Sequence, residues 1–206
     1  MHIQLNNVGK KYQKEWIFRH CNYQFSQANA YAIIGPNGSG KSTLLQAIAG
    51  SMHLQEGTVT MMDDQSKIIP VEEWYQQVAI VAPYLEIIEE MTATEFLTFH
   101  FQFKKRVHEV SIADIIQIIG LQQAANKQIR YFSSGMKQRI KLAQAIFSDT
   151  SLLLLDEPCT NLDASGYALY QQLIAQYCQT KIVVVCSNDL QEYSFCKHQL
   201  KITDYK

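Results

Sequence analysis

Long apolar runs are missing from this chain. The longest, VAIVA and SLLLLD, are far short of the ~20 residues that a membrane-crossing helix needs. An excess of charge is missing too: 18 Lys and Arg against 19 Asp and Glu give a net charge of −1. That leaves no electrostatic footprint for nucleic acid or for an anionic membrane. The one basic run, Lys104-Lys105-Arg106, leads to His108 and Glu109 and reads as a solvated helix face. Five cysteines (Cys21, Cys159, Cys178, Cys186, Cys196) form no CxxC pair and no even set, which argues against a zinc site or a disulfide framework. They read as buried reduced thiols of a cytosolic protein. No Pro-, Gly- or Ser-rich linker and no internal repeat divides the chain. Met1 leads within two residues into the strand-like IQLNNV, so no leader segment is expected. What remains is ordinary globular material, 47% apolar and 206 residues long, enough for one core or one core with an appended lobe.

The first third reads as short strands: Ile3 to Val8, Asn22 to Phe25, Ala30 to Ile34 and Thr58 to Met62. AYAII, residues 30–34, has almost no polar alternation, as expected of a strand covered on both faces. A helix is expected over Lys41 to Ala49 with Gly50 just past its end, and an apolar strand over Val78 to Ala82, stopped by Pro83. Between Thr92 and Ile119 the spacing turns helical. One helix carries Phe96, Phe99 and Phe103, read as core packing, and another carries Ile112, Ile115, Ile116 and Ile119. From Ser133 the chain alternates: a helix to Phe147, strand Leu152 to Leu155, helix Ala164 to Cys178, strand Ile182 to Cys186, a helix, and a closing strand near Leu200 to Thr203. This βαβ succession predicts an α/β fold with a mostly parallel sheet between helices. An antiparallel β lobe comes first, and a helical lobe is inserted at about 84–134, leaving about 1–82 and 135–206 for the core and β lobe of a single unit, 1–206.

Three of the nine glycines fall within six residues, in GPNGSGKST. The loop Gly35-Pro36-Asn37-Gly38-Ser39-Gly40-Lys41-Ser42-Thr43 fits the P-loop pattern and stands between a strand and a helix, where the mechanism requires it. Glycines let successive amides turn onto phosphate oxygens, and the helix start adds a positive dipole end. Lys41 would reach the β- and γ-phosphates, Ser42 would ligate Mg²⁺, and Thr43 would bond the α-phosphate of a nucleoside triphosphate. SLLLLDEP, residues 151–158, carries carboxylates to the end of a buried strand, where ligands collect in such sheets. Asp156 is placed to hold Mg²⁺ through water, opposite Ser42. Glu157 suits a general base acting on water in line with the γ-phosphate.

Shortly before that strand lies YFSSGMKQRIKLAQA, residues 131–145. With it, the chain resembles the nucleotide-binding domain of ATP-binding cassette (ABC) proteins from about Ile3 to Thr203. Phe132-Ser133-Ser134-Gly135-Met136 is similar to the family's LSGGQ signature, which in the family meets the γ-phosphate bound to an opposite subunit. Ser133 and the amides near Gly135, at a helix start, would complement phosphate charge. TNLD, ending in Asn161, Leu162 and Asp163, resembles the D-loop at the same dimer seam, and Tyr12 in KKYQ matches the aromatic that stacks on adenine. The resemblance implies ATP and Mg²⁺, a second cassette, and a separate transmembrane permease docking near 83–110. It also implies a cytoplasmic place, peripheral to the membrane through that partner. No nucleic-acid partner is expected.

Two positions depart from the family. Its glutamine after the strand VAIVA is replaced by Pro83, with Tyr84 or Glu86 nearby to take part of the role; its histidine after IVVVC is replaced by Asn188. Removing one preorganised donor to a transition state commonly costs about 10²–10³ in rate, so hydrolysis is expected to be real but slow. A soluble ABC-type regulator is the alternative, and a P-loop small-molecule kinase would lack FSSGMKQR and TNLD. His20, His53, His100, His108 and His198 show no metal spacing, Trp16 and Trp74 are packing residues, and Cys159 is a small tolerated residue.

Overall fold

A computed structural model describes residues 1–107 and 109–206, so the reading of His108 lies outside the described residues. Along the chain run β1 (His2–Tyr12), β2 (Glu15–Ser26), β3 (Ala30–Ile34), α1 (Lys41–Ile48), β4 (Glu56–Met62), α2 (Trp74–Gln77) and β5 (Val78–Val81). They are followed by α3 (Ala93–Phe103), α4 (Ile112–Ile118), α5 (Ser134–Ile146), β6 (Leu152–Asp156), α6 (Ala164–Tyr177), β7 (Ile182–Cys186), α7 (Leu190–Tyr193) and β8 (His198–Lys201). Two sheets result. One is antiparallel in the order β2-β1-β4, and the other is parallel in the order β5-β6-β7-β3-β8.

The parallel sheet divides two cores, and its strand sequences explain how. On β6, Leu153 and Leu155 enter a core shared with α3, α4, α5 and α6, whereas Leu152 and Leu154 enter one shared with α1 and the antiparallel sheet. Val183 and Val185 of β7 go with the first core, and Ile182 and Val184 with the second. Strict two-residue alternation therefore needs apolar residues at every position, which is why these strands carry no polar rhythm. Each fully buried Leu or Val is worth about 1.5–3 kcal/mol. Asp156 is the exception at the sheet's carboxyl end, as the strand leaves the core.

Helix starts follow local chemistry. Thr92 accepts a hydrogen bond from the Glu95 amide at 3.2 Å while the Glu95 carboxylate accepts from the Thr92 amide at 2.8 Å, and Ser111 with Asp114 repeats this capping box at α4. Beyond α1, Gly50 adopts φ +69, and a Cβ there would meet the Trp74 ring at 2.5 Å. Trp74 is thereby packed against the turn, as expected.

Four expectations need correction. The Phe stripe is not core throughout: Phe96 is buried, but Phe99 and Phe103 are exposed, the latter by 69%, and stack edge to face on each other at 5.0 Å. The helix is amphipathic with a narrower apolar stripe than three phenylalanines imply, its core side formed by Ala93, Phe96 and Leu97. The basic run is not a solvated helix face either. α3 ends at Phe103, and the Lys104 ammonium turns inward to donate to the Val78 carbonyl at the start of β5. β2 begins at Glu15, well before Asn22, because it pairs along the whole of β1. The closing strand runs over His198–Lys201, and Ile202–Tyr205 forms a 3₁₀ turn. No helix among the described residues is long and apolar enough to cross a membrane.

Candidate active site

β3 ends at Ile34 and α1 begins at Lys41, so residues 35–40 form a tight loop at the sheet's carboxyl end. Its glycines take conformations that other residues rarely adopt. Gly38 has φ +74 and Gly40 φ +106, and a Cβ on Gly40 would lie 2.4 Å from the Ile17 Cγ2. No side chain caps α1, so the helix start offers its first amides, which a helix leaves without internal partners, to a ligand at the loop. Ser39 is buried and its hydroxyl finds no partner among the described residues, an orphan that a phosphate oxygen would satisfy.

Lys41 is folded back on the loop. Its ammonium donates to the carbonyls of Gly35 at 2.7 Å and Pro36 at 3.2 Å, and to the Asn188 Oδ1 at 3.2 Å. The Asn188 Nδ2 in turn donates to the Asn37 Oδ1 at 2.6 Å, tying the segment after β7 to the glycine loop. Asp156 is 3% exposed, with the Ser42 hydroxyl beside it. Burial raises its pKa, Glu157 adds to the rise, and the Ser42 hydroxyl and Lys41 oppose it. A buried carboxylate beside a hydroxyl is suited to a cation, and an oxygen pair of this kind matches the preference of Mg²⁺. Glu157 is exposed and lines a cleft of about 240 Å³ with Asn37, Gly38, Gly40, Lys41, Ser42 and Thr43. Loop, acid pair and Asn188 are thus brought together as the sequence suggests.

Other candidates stand apart. Tyr12 is 50% exposed at the end of β1, outside this cleft, with the Lys10 ammonium 5.0 Å from its ring centre. Ser133, Ser134 and Gly135 border a separate cavity of about 440 Å³ together with Asn161 and Asp163. There Ser133 caps α5, its hydroxyl accepting from the Met136 amide at 3.3 Å. Asp163 caps α6 by accepting from the Gly166 amide at 2.8 Å and faces Arg139 at 3.5 Å. Pro83 and Glu86 border a further cleft with Lys137 and Lys141. Tyr84 lies nearer the acid pair: burial raises its pKa, the Gln46 side chain of α1 opposes the rise, and the Asp156 charge adds to it.

Two residues escaped the sequence reading. Gln138 of α5 donates to the Pro158 carbonyl at 2.6 Å, and Glu192 of α7 accepts from the Cys159 amide at 2.8 Å. Both are buried, and both grip the turn that follows Asp156. Glu192 has a raised pKa, chiefly from burial. A polar residue on a helix gives no sign in sequence of facing inward, so only the packing exposes them.

The family model for ABC transporters matches residues 18–160. YybJ of Bacillus subtilis, an uncharacterised ABC transporter ATP-binding protein, is 32% identical over 175 residues, covering 84% of this chain and 79% of its own. LnrL of Bacillus subtilis, a linearmycin resistance ATP-binding protein, is 28% identical over 98% of this chain and 66% of its own, so the chain spans just under two thirds of that relative. The dimeric structure of a bacterial ABC transporter cassette superposes with a TM-score of 0.80 at 25% identity, over 97% of this chain and 94% of that one. Glycine loop, serine-rich helix start and acidic strand end stand in one fold and in that order, and the chain belongs to the ABC transporter family as an ATP-binding cassette.

Proposed function

We propose that this chain binds and hydrolyses ATP as the energy-supplying subunit of a transporter, closing with a second cassette and driving a separate transmembrane subunit. The observation that carries this reading is the cleft in which Glu157 faces the glycine loop beside the Ser42–Asp156 pair. The triphosphate lies on the loop amides, with Lys41 exchanging its carbonyl partners for phosphate oxygens and Thr43 bonding the α-phosphate. Ser42 and Asp156 would hold Mg²⁺, which when bound neutralises charge on the phosphates. Glu157 takes a proton from the attacking water, and Asn188 donates through its amide to the γ-phosphate. Tyr12 stacks on the adenine. Ser133, Ser134 and Gly135 meet the nucleotide of the other cassette, with Asp163 at the seam. The single cassette, 1–206, contributes its inserted lobe at about 84–134 to the permease contact, near 83–110.

Turnover is slow, because Pro83 offers no side-chain donor and Asn188 carries no charge. ATPase assays on the wild type and Glu157→Gln test the reading. The variant is expected to lose about 10²-fold or more in rate while keeping its ATP affinity. Equal rates in the two proteins would remove Glu157 as the base.

A further inference from the structure

Glu157 is held in an unfavourable backbone conformation, φ +44. A non-glycine residue in that region costs on the order of 1 kcal/mol or more and persists only where its surroundings enforce it. The enforcing contacts are visible. Before the turn, the Glu157 amide donates to the Cys186 carbonyl at 2.9 Å; after it, the Thr160 hydroxyl donates to the Glu157 carbonyl at 2.9 Å. Two buried side chains from outside the turn complete the set. Gln138 of α5 grips the Pro158 carbonyl, and Glu192 of α7 grips the Cys159 amide.

The origins of these two grips matter. Gln138 sits on α5, whose first residues are the Ser134-Gly135 loop, and an added Cβ on Gly135 would already stand 3.1 Å from the Asn161 carbonyl. Glu192 follows Asn188 and Asp189 on the segment tied to the glycine loop. Glu192 is further immobilised because its backbone carbonyl accepts from the buried Tyr170 hydroxyl at 2.9 Å. The Ser187 hydroxyl lies beside its carboxylate and opposes the rise in its pKa, while its Oε2 makes no close hydrogen bond among the described residues. A carboxylate 4% exposed whose one close bond goes to a backbone amide is costly to keep. An apolar residue would be cheaper if filling space were its only task.

We propose that Gln138 and Glu192 are positioning residues for hydrolysis, clamping the Glu157–Thr160 turn from two different helices so that the Glu157 carboxylate stays at the phosphate loop. This rests on Glu157 being the base. Through Gln138 the clamp reaches the helix that begins at the serine-rich loop, and through Glu192 it reaches the segment that touches Lys41. Slackening either grip lets the turn relax toward an unstrained conformation and moves the carboxylate off line. Displacement of a reacting group by about 1 Å costs about 10²-fold in rate.

The test compares Glu192→Gln, Glu192→Met and Gln138→Met with the wild type, alone and combined with Glu157→Gln. ATP turnover, KM, binding of a fluorescent ATP analogue and thermal melting are measured for each. Glu192→Gln keeps an acceptor for the Cys159 amide and is expected to retain most of kcat. The two Met variants are expected to lose kcat by about 10²-fold with KM and nucleotide binding within about twofold. In the Glu157→Gln background neither Met change should lower the residual rate further, since the clamp acts through Glu157. Wild-type kcat in a folded Met variant, equal losses in Glu192→Gln and Glu192→Met, or additive losses with Glu157→Gln would each overturn the clamp. Should Glu192→Met fail to fold, Gln138→Met carries the same comparison. Wild-type turnover by Glu157→Gln alone would instead remove the underlying reading, and the clamp with it.

Discussion

Asn188 makes two bonds with the glycine loop, one to Lys41 and one to Asn37. An amide can do both at once, because its oxygen accepts while its nitrogen donates. It does so without any dependence on pH between 5 and 8. Histidine at this position would titrate in that window and, when protonated, would bring a charged donor to the γ-phosphate. Asn188→His is therefore expected to raise ATP turnover by about tenfold at pH 6.5 and to add a pH dependence that the wild type lacks. A flat profile at or below the wild-type rate would show that Asn188 is already the better fit. The loop and acid pair were legible in sequence because their chemistry is local: glycines, a lysine and hydroxyls in fixed order, and carboxylates at the end of four leucines. The grips of Gln138 and Glu192 were not, because each joins residues 20 and 33 positions apart whose contact exists only after the sheet forms.

At the scale of elements, the amino ends of the parallel strands gather buried basic groups around the last turn of α5. The Lys181 ammonium donates to the carbonyls of Ile146 at 2.9 Å and Ser148 at 2.6 Å, satisfying groups that a helix end leaves bare. His100 of α3 bonds the Ser148 hydroxyl at 3.0 Å, and that hydroxyl donates to the Gln144 carbonyl at 2.6 Å. Burial and the neighbouring Lys104 push the His100 pKa down to about 4. The folded protein thus prefers neutral imidazole. Between pH 6.5 and about 4 the unfolded chain binds the extra proton, so the stability that this ring contributes is complete above pH 6.5 and lost as pH falls toward 4. With allowance for the ring's partial exposure, the loss is about 1 kcal/mol by pH 5, or about 2–4 °C in Tm. His100→Gln should lower Tm less than the wild type does between pH 7.5 and pH 5; equal falls in the two would exclude His100 as the cause. Element types were well predicted here, since periodicity is set within each segment. The basic run and the outer phenylalanines were misjudged because sequence spacing does not say where a helix stops. α3 stops at Phe103, and Lys104 then finds the end of β5.

For the whole molecule, the serine-rich loop and the glycine loop line different cavities of one chain. If both act on one nucleotide, the serine-rich loop must come from a second cassette, whether a copy of this chain or a relative. Glu157→Gln with ATP and Mg²⁺ is expected to sediment at twice the chain mass, and at the single-chain mass with ADP. An unchanged mass with ATP would refute pairing through these loops in a homodimer. The alternation of leucines along β6 has its own consequence here. Adjacent residues of one strand are anchored in different chambers, so the sheet works as a party wall between the side of α1 and the antiparallel sheet and the side of α3 to α6. Trimming Leu153 therefore hollows one room, and trimming its neighbour Leu154 hollows the other.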